Sequence, residues 1–148
     1  SIFEEVGLFK PGLKRAQDND LWFRISYQEP KIGYISSPLF IYHLDTPGSS
    51  TKINDEVDYL VEFIDRHVEL SAKYGRTEAF RLCATHMLTV RIRRLFEQKR
   101  FGEARILLGR FVDYLPDRFK REMKFRLVWP PLTNRIGDMV MELKKVLK

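Results

Sequence analysis

The chain of 148 residues is poor in cysteine, with Cys83 as its single one. One cysteine cannot form an internal disulfide and offers no metal-binding cysteine spacing, so we expect a reducing, cytoplasmic compartment. The apolar helical context of Cys83 predicts a small buried side chain. The chain also lacks a run of about 18 apolar residues, so no segment is expected to span a membrane. No internal repeat is present, which argues against a repeat protein.

Acidic residues are scarce in the C-terminal part of the chain. Residues 91–148 hold sixteen Lys and Arg against seven Asp and Glu, while the whole chain has a net charge of +6. This basic excess could draw the chain to an anionic surface such as a membrane or a nucleic acid, or it could belong to solvated helix faces. No nucleic-acid recognition motif accompanies the charge, so nucleic acid is not an expected partner.

Proline and glycine divide the chain near residue 53. Before that point they separate short segments, and after it apolar residues recur with the 3.6-residue period of helices. We predict a short helix and two short strands, at residues 32–36 and 39–43, followed by a bundle of about four to five helices. The alternative for the two runs is one strand and an extended arm. The expected fold class is an α+β fragment that is mostly α, with domains at residues 1–53 and 54–148. The helices of the bundle are predicted at 54 to about 75, 77 to about 99, 104–115, 117–129 and 132–146.

Residues 17–24 (QDNDLWFR) form the one stretch that looks built for chemistry. Two carboxylates, Asp18 and Asp20, stand at the start of a predicted helix that continues into Trp22. Such carboxylates commonly cap a helix, because their oxygens satisfy free backbone N–H groups and suit the helix dipole. The alternative is a general base, since a base needs a rigid mount and a partly dry setting. Both interpretations stay open on these residues alone.

Several blocks of the N-terminal third follow one another in a characteristic order. Residues 1–53 thereby resemble the acceptor-side half of family 2 glycosyltransferases of the GT-A fold. That family usually has Val-Gly-Gly-Phe, a Glu-Asp pair leading into Asp-Leu-Trp-x-Arg, a Gly-Tyr-Ile strand and a Tyr-Arg-x-His-x-x-Ser tail. The corresponding blocks here are FEEVGLF at 3–9, QDNDLWFR at 17–24, IGYI at 32–35, Pro38-Leu39, Tyr42 and Gly48-Ser49.

The resemblance implies transfer of a sugar, with inversion, from a nucleotide-sugar donor to a hydroxyl of a glycan or lipid-linked acceptor. The Asp of the family's Glu-Asp pair is the base, and Asp18 takes its position here. Gln17 replaces the usual Glu, which removes one negative charge beside the base. Asp20 and Arg24 are assigned mainly to structure, as a cap and an ion partner, and Trp22 to sugar stacking or to the core. Asp18 and Asp20 should diverge on a helix, which argues against the paired carboxylates of a glycoside hydrolase.

The resemblance also implies a divalent metal, Mg²⁺ or Mn²⁺, in the full-length enzyme. The family's Tyr-Arg-x-His corresponds to YHLD at 42–45, so Asp45 takes the place of the His by spacing and His43 lies two residues earlier. Either side chain could ligate such an ion, and the alternative for His43 is packing at a strand end. The family's nucleotide-binding half, with its Asp-x-Asp motif, is not found ahead of these blocks. We therefore expect a C-terminal fragment that is inactive by itself.

A basic and aromatic segment in the C-terminal region suggests a second role. Its basic residues alternate with aromatic ones in a pattern that suits the headgroups of an anionic membrane. We expect peripheral attachment at the inner face of the cell membrane through this helix. The competing class of function is a non-catalytic helical interaction module, for a protein or an anionic membrane surface, in which Asp18 is only a helix cap. The candidate membrane-surface residues are Arg118, Phe119, Lys120, Arg121, Lys124, Phe125 and Trp129.

Overall fold

The computed structural model describes residues 2–13, 15–28, 31, 33–41 and 57–128, and these are mostly helical. They form two compact units, of which the first ends at Leu82 and the second begins at Cys83. Six α-helices and one 3-10 helix, η1, occur in this part of the chain. Their bounds are α1 Ile2–Val6, α2 Gln17–Gln28, α3 Asp58–Lys73, α4 Thr77–Glu97, α5 Phe101–Arg110, η1 Val112–Tyr114 and α6 Asp117–Val128.

The predicted pair of strands is wrong, and with it the α+β fold class. Residues 33–41 contain no strand, and no other described residue belongs to one. Tyr34 is 90% exposed there and Ile41 83% exposed. A strand needs a hydrogen-bonded neighbour, and none of the described segments supplies one, so aromatic and β-branched residues alone do not produce it. The described part of the chain is therefore mostly helical and contains no strand.

The first unit is built around α2, against which both α1 and α3 pack. Leu21 and Tyr27 of α2 are buried together with Phe63 and Ile64 of α3. The ring of Phe23 meets that of Phe63 edge to face, with 5.5 Å between centroids. The apolar residues of α3 recur every three or four positions, so one face of this helix enters the core.

Gly75 ends α3, as the sequence predicted. Its φ of +65° lies in the left-handed region that favours glycine. The Gly75 N–H donates to the carbonyl of Ala72 at 3.1 Å, and the Arg76 N–H donates to that of Ser71 at 2.7 Å. These bonds satisfy carbonyls that the end of a helix would otherwise leave open. The chain then enters α4 at Thr77, where the periodicity predicted its start.

The buried face of α4 differs from the predicted one. Cys83 is exposed, which corrects the expectation of a buried thiol, and Val90 is 54% exposed. Phe80 and Ala84 are buried, as the helical period predicts, but Leu88 and Ile92 complete the buried face in place of Cys83 and Val90. Apolar residues lie on more than one side of α4, so the helical period locates the helix without choosing the face that packs.

The second unit has a core formed by α4, α5 and α6. Leu88 and Ile92 of α4, Leu107 of α5 and Met123 of α6 are all completely buried. A hydrogen bond connects η1 to α4, because Thr85 Oγ1 donates to the carbonyl of Tyr114 at 2.7 Å. The predicted helix at 132–146 and the predicted domain boundary near residue 53 lie outside the described residues. None of the helices that the structure describes is both long and apolar enough to cross a membrane.

Leu88→Ala should lower the free energy of unfolding by about 2–5 kcal/mol, because it removes buried methyl groups and leaves a cavity. Leu82→Ala is the matched control in the same helix, since Leu82 is 73% exposed. Urea denaturation followed by circular dichroism measures both. Equal destabilisation by the two variants would contradict the packing face assigned to α4.

Candidate functional site

The two carboxylates of α2 lie in opposite environments. Asp18 is exposed, and so is Trp22, which is 65% accessible to solvent. Asp20 is completely buried and Arg24 is 7% exposed. Residues four apart share a helix face, so Asp18 and Trp22 form one side of α2 and Asp20 and Arg24 the other. The first pair can meet a ligand from solvent, whereas the second pair serves the interior of the first unit.

Asp20 accepts hydrogen bonds from two arginines on two helices, and His67 lies beside it. Arg24 Nε donates to Asp20 Oδ2 at 2.9 Å, and Arg66 Nη1 of α3 donates to Oδ1 at 3.1 Å. His67 Nε2 lies 3.3 Å from Oδ1. Burial raises the pKa of the Asp20 carboxyl, but the hydrogen bonds from Arg66 and Arg24 and the charge of Arg24 outweigh it and leave the pKa below its ordinary value. Asp20 is therefore an ionised, structural carboxylate.

Arg24 also fastens the end of α1. Its Nη1 donates to the carbonyls of Val6 and, at 3.1 Å, Gly7, and its Nη2 donates to that of Leu8 at 2.8 Å. Gly7 has a φ of +79°, which suits the residue that follows a helix. The single guanidinium group of Arg24 thus donates hydrogen bonds both to the free carbonyls at the end of α1 and to the buried carboxylate of Asp20. The planar fork of arginine donors is suited to this, and lysine could not reproduce it.

His67 lies inside an aromatic cluster. Its ring centroid is 4.3 Å from that of Phe63, 5.3 Å from that of Phe23 and 5.7 Å from that of Phe80. Burial lowers the pKa of His67 to about 4, although the Asp20 charge opposes this. The imidazole is therefore neutral near pH 7. The Tyr27 hydroxyl, 3.0 Å from Nδ1, then donates to that nitrogen, and Nε2 carries the ring proton on the side of Asp20.

Asp18 lies in the first turn of α2, directly after a short turn with a defined backbone conformation. Ala16 has a φ of +58°, which is uncommon for a residue with a Cβ, and its carbonyl accepts the Asp20 N–H at 2.8 Å. Gln17 Nε2 donates to the carbonyl of Leu13 at 2.5 Å. Asp18 Oδ1 accepts the N–H of its neighbour Asn19 at 2.8 Å. The backbone around Asp18 is thus fixed from both sides, while the carboxylate itself faces solvent.

The side chains that hold Asp20 from α3 have no local signal in the sequence. Arg66 and His67 lie 46 and 47 residues beyond it, and Tyr27 reaches His67 across 40 residues. His67 shares a helix face with the buried Leu60 and Ile64, and such a position favours a structural role. A histidine on the apolar face of one predicted helix needs a polar partner, and an Asp on another predicted helix can supply it. This is the one sequence pattern that could have suggested the contact between His67 and Asp20.

The remaining predicted site residues are only partly described. His43 and Asp45, the candidate metal ligands, and Trp129 lie outside the described residues. Among the side chains that the structure does describe, no group of three His, Cys, Asp or Glu could hold a metal ion.

Among the candidate membrane-surface residues of α6, the burial is mixed. Phe119 is buried, and Lys120 is half-buried and pairs with Asp117 at 2.8 Å. The exposed members are Arg118, Arg121, Lys124 and Phe125.

Comparison with known proteins adds no further identification. No protein-family model matches the chain, and neither the curated proteins nor the solved structures contain a significant match.

The buried His67 makes stability depend on pH. An unfolded His67 takes up a proton near pH 6.5, but the folded one does so near pH 4. The free energy of unfolding should therefore fall by about 3 kcal/mol as the pH drops from 7 to 4, in addition to changes from other groups. Urea denaturation across this range measures the slope, and an NMR titration of the histidine ring signals measures the pKa directly.

His67→Gln should remove this contribution, while His86→Gln should keep it, because His86 is exposed. A His67 signal that titrates at pH 6.5 or higher would contradict the neutral, buried imidazole.

Proposed function

We propose that this chain is the acceptor-side part of an inverting family 2 glycosyltransferase and that Asp18 is its general base. The observation that carries the proposal is the exposure of Asp18 and Trp22 on one face of α2, whose opposite face is anchored through Asp20 and Arg24. A base requires a carboxylate that is open to substrate yet mounted on a rigid element. The order of the sequence blocks around α2 supports the family assignment.

In the proposed reaction Asp18 accepts the proton of an acceptor hydroxyl. The acceptor oxygen attacks the anomeric carbon of a nucleotide sugar, and the bond to the nucleoside diphosphate breaks on the opposite face. Trp22, one helical turn from Asp18, offers an aromatic surface against which a sugar ring can stack. A divalent ion, Mg²⁺ or Mn²⁺, bound by His43 or Asp45 in the full-length protein, would neutralise charge on the departing diphosphate. Gln17 leaves the immediate neighbourhood of the base less negative than Glu would.

The donor is expected to bind mainly to a nucleotide-binding half of the full-length protein. The chain of 148 residues should then show no transfer by itself. The acceptor is a glycan or a lipid-linked saccharide, and the reaction would take place in the cytoplasm, at the inner face of the cell membrane.

Asp18→Asn in the full-length protein should lower the transfer rate by roughly 10²–10⁴-fold while donor binding and stability are retained, because it removes only the proton acceptor. Release of the nucleoside diphosphate in the presence of acceptor measures transfer, and calorimetry measures donor binding. Asp58→Asn is the matched control, since Asp58 is an exposed carboxylate in the first turn of α3.

Asp20→Asn separates chemistry from structure. It should lower the free energy of unfolding by about 3–5 kcal/mol, because it leaves the buried Arg24 without its carboxylate partner.

Full turnover by the Asp18→Asn variant would reject the assignment of Asp18 as the base.

A second candidate function is attachment to an anionic membrane through α6. The supporting observation is a continuous exposed face on this helix, where Phe125 (53% exposed) and Val128 (73% exposed) lie among the cations Arg118, Arg121 and Lys124. Three cations near an anionic surface contribute about 3 kcal/mol, and the two apolar side chains add burial in the headgroup region. If the chain is a non-catalytic interaction module, binding to the membrane requires only this exposed face of α6.

The chain should co-sediment with vesicles that contain phosphatidylserine far more than with pure phosphatidylcholine vesicles, by roughly a hundredfold in partition coefficient. Phe125→Ala should weaken this binding, and Ile106→Ala should not, because Ile106 is an equally exposed apolar residue on α5. Equal binding to the two kinds of vesicle would exclude the attachment.

A further inference from the structure

A groove of about 510 Å³ lies in the second unit, between α4 and the beginning of α6. Its volume falls within the range of sites for small organic ligands. The α4 side of the groove includes Val90 and Arg93, and the α6 side includes Arg118, Phe119 and Glu122. Two cations, one anion and an apolar surface therefore face the same space, and neither the transfer reaction nor the membrane face accounts for this combination.

Arg93 is available to a ligand. Its guanidinium carbon lies 5.5 Å from the centre of the Phe119 ring, which orients the charged group over an aromatic face. Its ion pair with Glu122 is long, at 3.8 Å from Nη2 to Oε2, and the Arg93 side chain is 59% exposed. Exposed pairs of this kind contribute little to stability. Glu122 is also shared, because Arg126 Nε lies 3.8 Å from its Oε1.

Arg118 supplies the second cation from the other side of the groove. It is exposed and has neither a hydrogen bond nor an ion pair with the part of the chain that the structure describes. It occupies the first turn of α6, in which the Lys120 N–H donates to the carbonyl of Pro116 at 2.9 Å. The same turn holds Asp117, whose carboxylate pairs with Lys120 at 2.8 Å.

We propose that this groove binds a phosphate monoester, with Arg93 and Arg118 on the phosphate and the apolar body of the ligand against the exposed Val90. Guanidinium groups suit phosphate because two parallel N–H donors match two phosphate oxygens. The two arginines exceed the single carboxylate of Glu122, so a dianion is favoured over a cation. The same chemistry is offered by a soluble phosphate ester and by the headgroup of a lipid such as phosphatidic acid.

Phenyl phosphate is a soluble probe that carries both features of the ligand. Calorimetric titration of the intact chain should show saturable binding in the millimolar range or tighter. Changing Arg93→Gln together with Arg118→Gln should weaken binding about tenfold or more, because charged hydrogen bonds are lost. Arg121→Gln together with Lys124→Gln removes two charges from α6 outside the groove, so binding should change less than about twofold. These are exposed side chains, and circular dichroism verifies that all variants stay folded.

Glu122→Gln should act in the opposite direction and tighten binding severalfold, since it removes the anion that competes with phosphate for Arg93. Binding that is not tightened would overturn the placement of the phosphate beside Arg93. Absence of saturable binding, or equal weakening by the two double variants, would overturn the site itself.

Vesicles distinguish the two sources of phosphate. Phosphatidic acid and phosphatidylserine are compared at equal surface charge. A preference for phosphatidic acid that disappears in the Arg93→Gln, Arg118→Gln variant identifies a lipid headgroup as the ligand. Binding of phenyl phosphate without such a preference identifies a soluble phosphate ester.

Discussion

A carboxylate that is removed from water must be met by donors and cations, and this constraint at Asp20 organises the first unit. Arg24 meets it from α2 and Arg66 meets it from α3, with His67 beside them, and Arg24 also donates to the carbonyls at the end of α1. Burying an ion pair costs nearly as much as the attraction returns, so the net gain in stability is small. Its larger effect is on register, because sliding α2 along α3 would leave a buried charge unpaired.

The same cluster explains how one short helix can present a solvent-facing carboxylate in a defined position. The aromatic rings of Phe23, Phe63 and Phe80 surround His67 and exclude water from the side of α2 that faces the core. Asp18 lies on the opposite side of this helix, so the packing of the core also holds its backbone in place. A carboxylate on a loose loop would sample many positions, and ordering it would carry an entropic cost that this arrangement avoids.

Sequence patterns predicted where the helices lie better than they predicted which face of a helix is buried or which residues contact one another. The start of α4 at Thr77 and the end of α3 just before Gly75 followed from local signals in the sequence, namely the helical periodicity and the glycine itself. The strands were not predictable in the same way, because pairing depends on a neighbour that composition does not reveal. Leu88 rather than Cys83 is buried because packing selects among several apolar sides of α4. The stretch at 17–24 could be singled out, and Arg24 could be assigned as an ion partner within it. The contacts of Asp20 with Arg66 and His67 are too distant along the chain to be inferred.

The division of α2 into two faces has an evolutionary consequence. Substitutions at Asp18 or Trp22 alter what solvent and ligands encounter, whereas substitutions at Asp20 or Arg24 alter whether the unit folds. The two kinds of change are therefore nearly independent, although the residues alternate along one short segment. The exposed face of α2 could therefore change in a descendant of this protein while its architecture persists, with Asp20 and Arg24 kept and Asp18 and Trp22 free to vary.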